Sequence, residues 1–252
     1  DLRVIDNPGF FQALNSGLSV LPIFIFDTEI LNKLTNKKDA RVSFIYSEIR
    51  KIKAEFEKAG SSLLVLHSKP LEAFLKLVNE YQITAVFTNK DYEPYAQQRD
   101  NEIGEFLQQK GIAFFLFKDH VIFEENEIVK DNGDPYTVFT PYSKKWKQVL
   151  RENEIPYFPS ENRLNNLLKT NTFPLPDLKN LGFEKSSVSI PSQILSEEII
   201  ANYAETRDFP AVEGTSKLGV HLRFGTVSIR EVTRFVLNLS EVFLNDLIWR
   251  NF

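Results

Sequence analysis

Two short stretches of the chain gather side chains able to do chemistry. In Gly214-Thr-Ser-Lys-Leu218 a glycine is followed by two hydroxyls and a cation. Gly214 breaks the segment before it, and the residues after Ser216 are helix-compatible, so the pattern predicts a helix starting at Thr215 and Ser216. Free backbone N–H groups and the positive dipole end of a helix attract anions, and neighbouring hydroxyls add donors to phosphate oxygens. The same pattern is also the commonest form of an ordinary N-cap, so a phosphate seat needs a second feature beside it. The terminal segment supplies one. Phe243, Asp246, Trp249 and Arg250 are spaced three, three and one, which puts them on one helix face. That face offers a flat apolar wall, a carboxylate and a guanidinium fork suited to phosphate. The bland alternative is an amphipathic helix with a buried Trp and an Asp–Arg pair at four-residue spacing.

These stretches need a scaffold, and the first half of the chain predicts an α/β one. Short apolar runs at 21–27, 62–67, 85–88 and 113–117 read as buried strands, and helical patterns at 41–59, 70–81 and 97–110 separate them. In the first helix Val42, Ile45, Ile49, Ile52 and Phe56 recur at three- and four-residue spacing, and Gly60 supplies the stop. Strands alternating with helices imply a parallel sheet with helices on both faces. Such sheets bind ligands beyond the carboxyl ends of their strands, which singles out Asp27, His67, Asn89 to Glu93 and Lys118 to His120. Neither glycine-rich nucleotide fingerprint is present, and the isolated histidines predict no metal site.

From 131 to 195 seven prolines punctuate a stretch that reads as a mostly irregular connector between a domain at 1–130 and a helical one beginning at 196. Lys144-Lys145-Trp146-Lys147 within it reads as a solvated helix start anchored by one Trp rather than a nucleic-acid patch. Ser228-Ile-Arg-Glu231 has capping-box spacing, followed by Val232, Phe235, Val236 and Leu239 on one face.

With 252 residues and 42% hydrophobic content the chain can bury a sizeable core. It has no cysteine, which excludes disulfides and zinc–thiolate sites and suits a reducing cytoplasm. The charge of −4 rules out a uniformly basic nucleic-acid coat, yet five basic and three acidic side chains between Lys217 and Phe252 leave a mild local excess of positive charge. No segment reads as a membrane span or a signal peptide, and the opening Asp1 with no Met anywhere suggests a piece of a longer chain.

Several ordered blocks resemble the photolyase/cryptochrome family over nearly the whole chain. They are Asp1-Leu-Arg-Val-Ile-Asp-Asn7, Asp39-Ala-Arg-Val-Ser-Phe44, Asn89-Lys-Asp-Tyr-Glu-Pro-Tyr95 with Arg99-Asp100, and Pro135-Tyr-Thr-Val-Phe-Thr-Pro-Tyr142. The strongest runs from Tyr203 through Arg207-Asp-Phe-Pro210 into Gly214-Thr-Ser-Lys-Leu218 and on to Leu247-Ile-Trp-Arg250. The first block resembles sequence just after the family's first strand, which implies that this strand precedes Asp1.

The resemblance implies a Rossmann-like antenna domain with a parallel sheet, a long connector, and the start of an all-helical FAD-binding domain. It implies a monomer that acts on ultraviolet-damaged DNA, a light-driven enzyme splitting cyclobutane pyrimidine dimers from photoexcited reduced FAD. A cryptochrome-type photoreceptor and a non-catalytic nucleotide- or partner-binding fragment are the alternatives. By resemblance, Tyr203, Thr215, Ser216, Lys217, Leu218 and Gly219 grip the FAD phosphates, and Phe243 lines the flavin. Asp246 contacts flavin and damaged base, Trp249 stacks beside the extruded pyrimidines, and Arg250 meets a DNA phosphate. Asp246 and Trp249 are the catalytic candidates. The chain departs from the family pattern in four places. Asp246 stands where repair members usually carry the longer Glu, Gly219 where Ser is common, and Phe243 where Trp is frequent. Tyr95-Ala96 does not reproduce an Asn-Glu pair of the folate signature, which leaves a second antenna chromophore, folate or deazaflavin, open.

Overall fold

A computed structural model describes residues 1–252. The chain forms two compact units, each assembled from two segments. The first comprises Asp1–Phe117 and Phe158–Ile190, the second Lys118–Tyr157 and Pro191–Phe252.

In the first unit the elements run α1 (Pro8–Leu14), β1 (Ile23–Asp27), α2 (Thr28–Leu31), α3 (Ala40–Lys58), β2 (Leu64–Ser68), α4 (Pro70–Glu80), β3 (Ala85–Asn89), α5 (Pro94–Gln109) and β4 (Ala113–Phe117). All four expected strands form, within two residues of their expected bounds. They pair in parallel as two ladders, Ile23↔Leu64 to Asp27↔Ser68 and Ala85↔Ala113 to Asn89↔Phe117, where one continuous sheet was expected. A shared core joins the ladders from one side: Phe74, Leu77, Ile103 and Leu107 of α4 and α5 pack with Ile23, Ile25, Leu64, Leu66, Val86 and Phe114. Side chains alternate across a strand. Phe26 therefore turns to the other face, where its ring lies 6.5 Å from that of Tyr46 on α3. Proline opens α4 and α5 at a position whose N–H would be unpaired anyway. Gly60, at φ +74°, ends α3 as its position predicts.

The second unit holds α6 (Phe139–Glu152), α7 (Glu197–Ala201), α8 (Tyr203–Thr206), α9 (Gly219–Phe224), α10 (Ile229–Val236) and α11 (Glu241–Asn251). The proline-rich stretch is more ordered than expected, because both of its halves find partners. Helix α6 packs antiparallel on α11. Phe139 stacks on Trp249, Ser143 Oγ donates to Asn245 Oδ1 at 3.4 Å, and Lys147 Nζ donates to Glu241 Oε1 at 2.7 Å, each rung four residues along both helices. Beyond α6 the chain returns to the first unit. There Phe158 N donates to Asp6 Oδ1, Val20 bridges Leu167, and Phe173 N donates to Ser62 Oγ.

Trp146 is fully buried, edge-on to Phe123, and its Nε1 donates to Asn251 Oδ1 at 3.1 Å. The same Asn251 amide exchanges two hydrogen bonds with the Phe123 backbone, so one residue joins three segments. Val232 and Val236 of α10 and Leu244, Leu247 and Ile248 of α11 complete this core. Ser228 caps α10 as its spacing predicts, accepting from the N–H groups of Arg230 and Glu231. Phe235, expected on the buried face of α10, is 36% exposed. No helix is long and apolar enough to cross a membrane.

Candidate functional site

The candidate residues lie on α8, α9, α11 and the loop from 207 to 218, all within the second unit. At their centre Tyr203 donates its hydroxyl to Asp246 Oδ2 at 2.6 Å, and Arg207 reaches the two Asp246 oxygens at 3.3 and 3.4 Å. The Arg207 guanidinium also lies 5.7 Å from the Tyr203 ring centroid, and the Phe243 ring meets Tyr203 edge-on at 4.9 Å. Burial, reinforced by the hydrogen bond to Asp246 and its negative charge, pushes the Tyr203 hydroxyl up to about 12. Partly exposed ion pairs such as Arg207–Asp246 contribute about 0–1 kcal/mol, so this pair matters for orientation and charge balance more than for stability.

The predicted helix start is corrected by the structure. Helix α9 begins at Gly219, four residues later than expected, without a side-chain cap. The cause is local. Lys217 adopts φ +55°, outside the helical region, and its ammonium pairs with Glu213. Thr215 and Lys217 are exposed and Ser216 is half-buried, while Leu218 is buried in the core. Gly219 is exposed, and a Cβ placed there would meet nothing within 4 Å. Gly214 is the close-approach position. Thr206 Oγ1 donates to the Gly214 carbonyl at 3.2 Å, and a Cβ on Gly214 would fall 2.4 Å from Thr206 Cβ. This contact sets the seat against the end of α8, the helix that opens with Tyr203.

The single shared face expected for Phe243, Asp246, Trp249 and Arg250 is also corrected. Phe243 is buried and joins Asp246 against Tyr203. Trp249 is 54% exposed and lies face to face on Phe139 of α6, with centroids 3.8 Å apart and planes 3° apart. Arg250 turns to α9, donating to the Leu222 carbonyl at 3.1 Å. The pattern divides because α8 covers one flank of α11 and α6 the other. Sequence reasoning missed two participants, Arg207 and Phe139. Arg207 lies within a recognised block, but its ion pair spans 39 residues and leaves no local signal.

The strand-end candidates of the first unit are largely occupied by structural contacts. Asp27 caps α2 through Oδ1 and accepts the Tyr95 hydroxyl on Oδ2 at 2.5 Å, while burial raises the Tyr95 ionisation above its usual value. Asn89 accepts from Gly9 N and donates to Asp1 and Asn7. Asp119, beyond β4, is buried against Arg230 at 2.8 Å within the second unit. His67 lines an open groove of about 620 Å³, with Lys76, Pro174 and Asn180 among its other walls.

As a donor set, the hydroxyls of Thr215 and Ser216 with the Arg207 and Lys217 cations fit the phosphates of a dinucleotide such as FAD, whereas Tyr203, expected among the phosphate donors, gives its one hydroxyl proton to Asp246. A deoxyribodipyrimidine photo-lyase from a Synechococcus species is 28% identical across the whole chain. A bacterial class III photolyase from Agrobacterium tumefaciens superposes on the whole chain with a TM-score of 0.76 at 20% identity, and a Synechocystis cryptochrome with 0.74 at 17%. The chain covers 57% of the Synechococcus protein and 56% and 58% of the two structures, so it spans little more than half the length of these relatives. The family model for DNA photolyase matches residues 1–160, and with that match over more than half its length the chain belongs to the DNA photolyase family.

Proposed function

We propose that the chain serves a light-driven DNA repair flavoprotein that splits cyclobutane pyrimidine dimers. The observation carrying this reading is the grouping of Tyr203, Arg207, Phe243 and Asp246 beside the exposed Trp249 in a chain of this family. Bound FAD would supply light absorption and the electron that opens the dimer.

The residues have separable tasks. Thr215, Ser216 and Lys217, with the backbone at Leu218 and Gly219, hold phosphate oxygens, while the single Tyr203 hydroxyl proton is committed to Asp246. Phe243 gives the cofactor an apolar wall. Tyr203 fixes Oδ2 of Asp246, leaving Oδ1, with Arg207 as its charge partner, directed at donors on the flavin and the damaged base. Trp249 presents an indole for an extruded pyrimidine pair, which loses stacking in the duplex and recovers it on the ring. Arg250 meets a backbone phosphate. The antenna role of the first unit, with a second chromophore, belongs to the same reading.

Binding discrimination tests it. The FAD-loaded protein is expected to hold a duplex bearing one dimer more tightly than the undamaged duplex, and Trp249→Ala is expected to lose that preference. Equal affinity of the unaltered protein for both duplexes would sink the reading.

A further inference from the structure

Aromatic rings gather where the start of α6 meets the end of α11, and their contacts are of two kinds. Phe252 stands edge-on to Trp249 and to Phe139, at 5.6 and 5.9 Å, and lies tilted on Tyr142 at 5.0 Å. Phe139 and Trp249 instead lie flat on each other, 3.8 Å apart and within 3° of parallel. Aromatic pairs left to themselves prefer edge-on or offset contacts with centroids about 4.5–7 Å apart. The seam between the helices, more than ring attraction, therefore sets this overlap.

That seam is held on both sides. The Ser143–Asn245 and Lys147–Glu241 rungs continue from the stack along α6. Toward the core the Tyr142 hydroxyl donates to the Asn251 carbonyl at 3.2 Å, and buried Trp146 holds the Asn251 amide. Phe139 is the first residue of α6, so these contacts fix its backbone relative to α11. An indole has two faces. Phe139 covers one of them and Phe252 one edge, yet Trp249 is 54% exposed, so that exposure belongs to the face turned away from α6.

We infer that Phe139 is a positioning residue for Trp249. It closes the face toward α6 and holds the indole as a one-faced platform, on which an extruded base stacks from the solvent side alone. Holding the ring in place beforehand removes an ordering cost from binding. What stacks there rests on the repair reading, but the platform itself does not. A packing role alone would accept another apolar side chain of similar volume at 139, whereas this role needs a flat ring.

The chain has two tryptophans and Trp146 is fully buried, so iodide quenching of indole fluorescence reports on Trp249. The test compares the unaltered protein with Phe139→Leu and Phe139→Tyr. Quenching is measured on the chain before FAD is added, and affinity on the FAD-loaded protein, for an undamaged duplex and the same duplex with one dimer. Phe139→Leu is expected to raise quenching, because the indole is then free to turn and show both faces. It is also expected to lower the preference for the dimer about 2- to 12-fold, the value of one side chain left to be ordered on binding, with affinity for the undamaged duplex unchanged. Phe139→Tyr is expected to match the unaltered protein in both readouts. Unchanged quenching in Phe139→Leu, an intact preference, or a loss shared equally by both duplexes overturns the inference. Equal affinity of the unaltered protein for the two duplexes sinks the repair reading instead, and the quenching series then decides by itself whether Phe139 holds the indole.

Discussion

The Tyr203–Asp246 hydrogen bond makes two functional candidates report on each other. Tyr203 is pushed up to about 12 by burial first and by Asp246 second. Asp246→Asn should therefore bring it part of the way back toward about 10, with burial retaining the rest. Tyrosinate absorbance in a Tyr142→Phe background would show this, since burial also pushes Tyr142 up to about 12. An unshifted titration would mean that the contact is not made in solution. The sign for stability follows from the raised value. The folded state favours the neutral phenol, so this contribution is full below about 10 and is lost as pH rises through about 12.

Two glycines of the seat behave oppositely. Gly219 opens α9 with free space around it, so Gly219→Ser should fit, restore a hydroxyl beside the phosphate seat and stabilise by up to about 0.5 kcal/mol. Gly214→Ala drives a methyl into Thr206 and should cost about 1–3 kcal/mol. Thermal denaturation distinguishes them by opposite shifts. The Glu213-to-Leu218 stretch shows where residue-level reading stops. Its composition suits a phosphate seat, but residue types alone do not announce the φ of +55° at Lys217 which, with the local Glu213 pair, delays the helix.

Among the elements, those fixed by neighbouring residues were legible in the sequence. Ser228 caps α10, Pro70 opens α4 and Gly60 closes α3, each through local backbone chemistry. The seam between α6 and α11 was not legible, because Phe139 and Trp249 are 110 residues apart and neither constrains the other until the unit is folded. Trp146 was anticipated as an anchor, but Asn251 as its partner was not. Trp146→Ala should destabilise the chain by about 3–5 kcal/mol through the cavity it leaves. Arg230→Met should cost about 3–5 kcal/mol, because it strands the buried Asp119 carboxylate. Urea denaturation followed by circular dichroism would measure both, and losses below about 1 kcal/mol would contradict this account of the core.

At the scale of the molecule, the α/β class was readable from alternation of short apolar runs with amphipathic helices, and the helical texture of the last part from its caps. The weave of the chain between its units was not, since residues 118–157 join the second unit and 158–190 return to the first. Under the proposed function the second unit is a flavin and lesion site, read from its hydroxyl and cation donors, its carboxylate and its indole wall. Light is the variable that separates repair from signalling or simple binding. The most direct test is to follow cyclobutane dimers in a duplex incubated with the reduced, FAD-loaded protein under blue light and in the dark. The account predicts light-dependent loss of dimers that Asp246→Ala slows. Retention of every dimer under light, with the flavin reduced and the duplex bound, would contradict it.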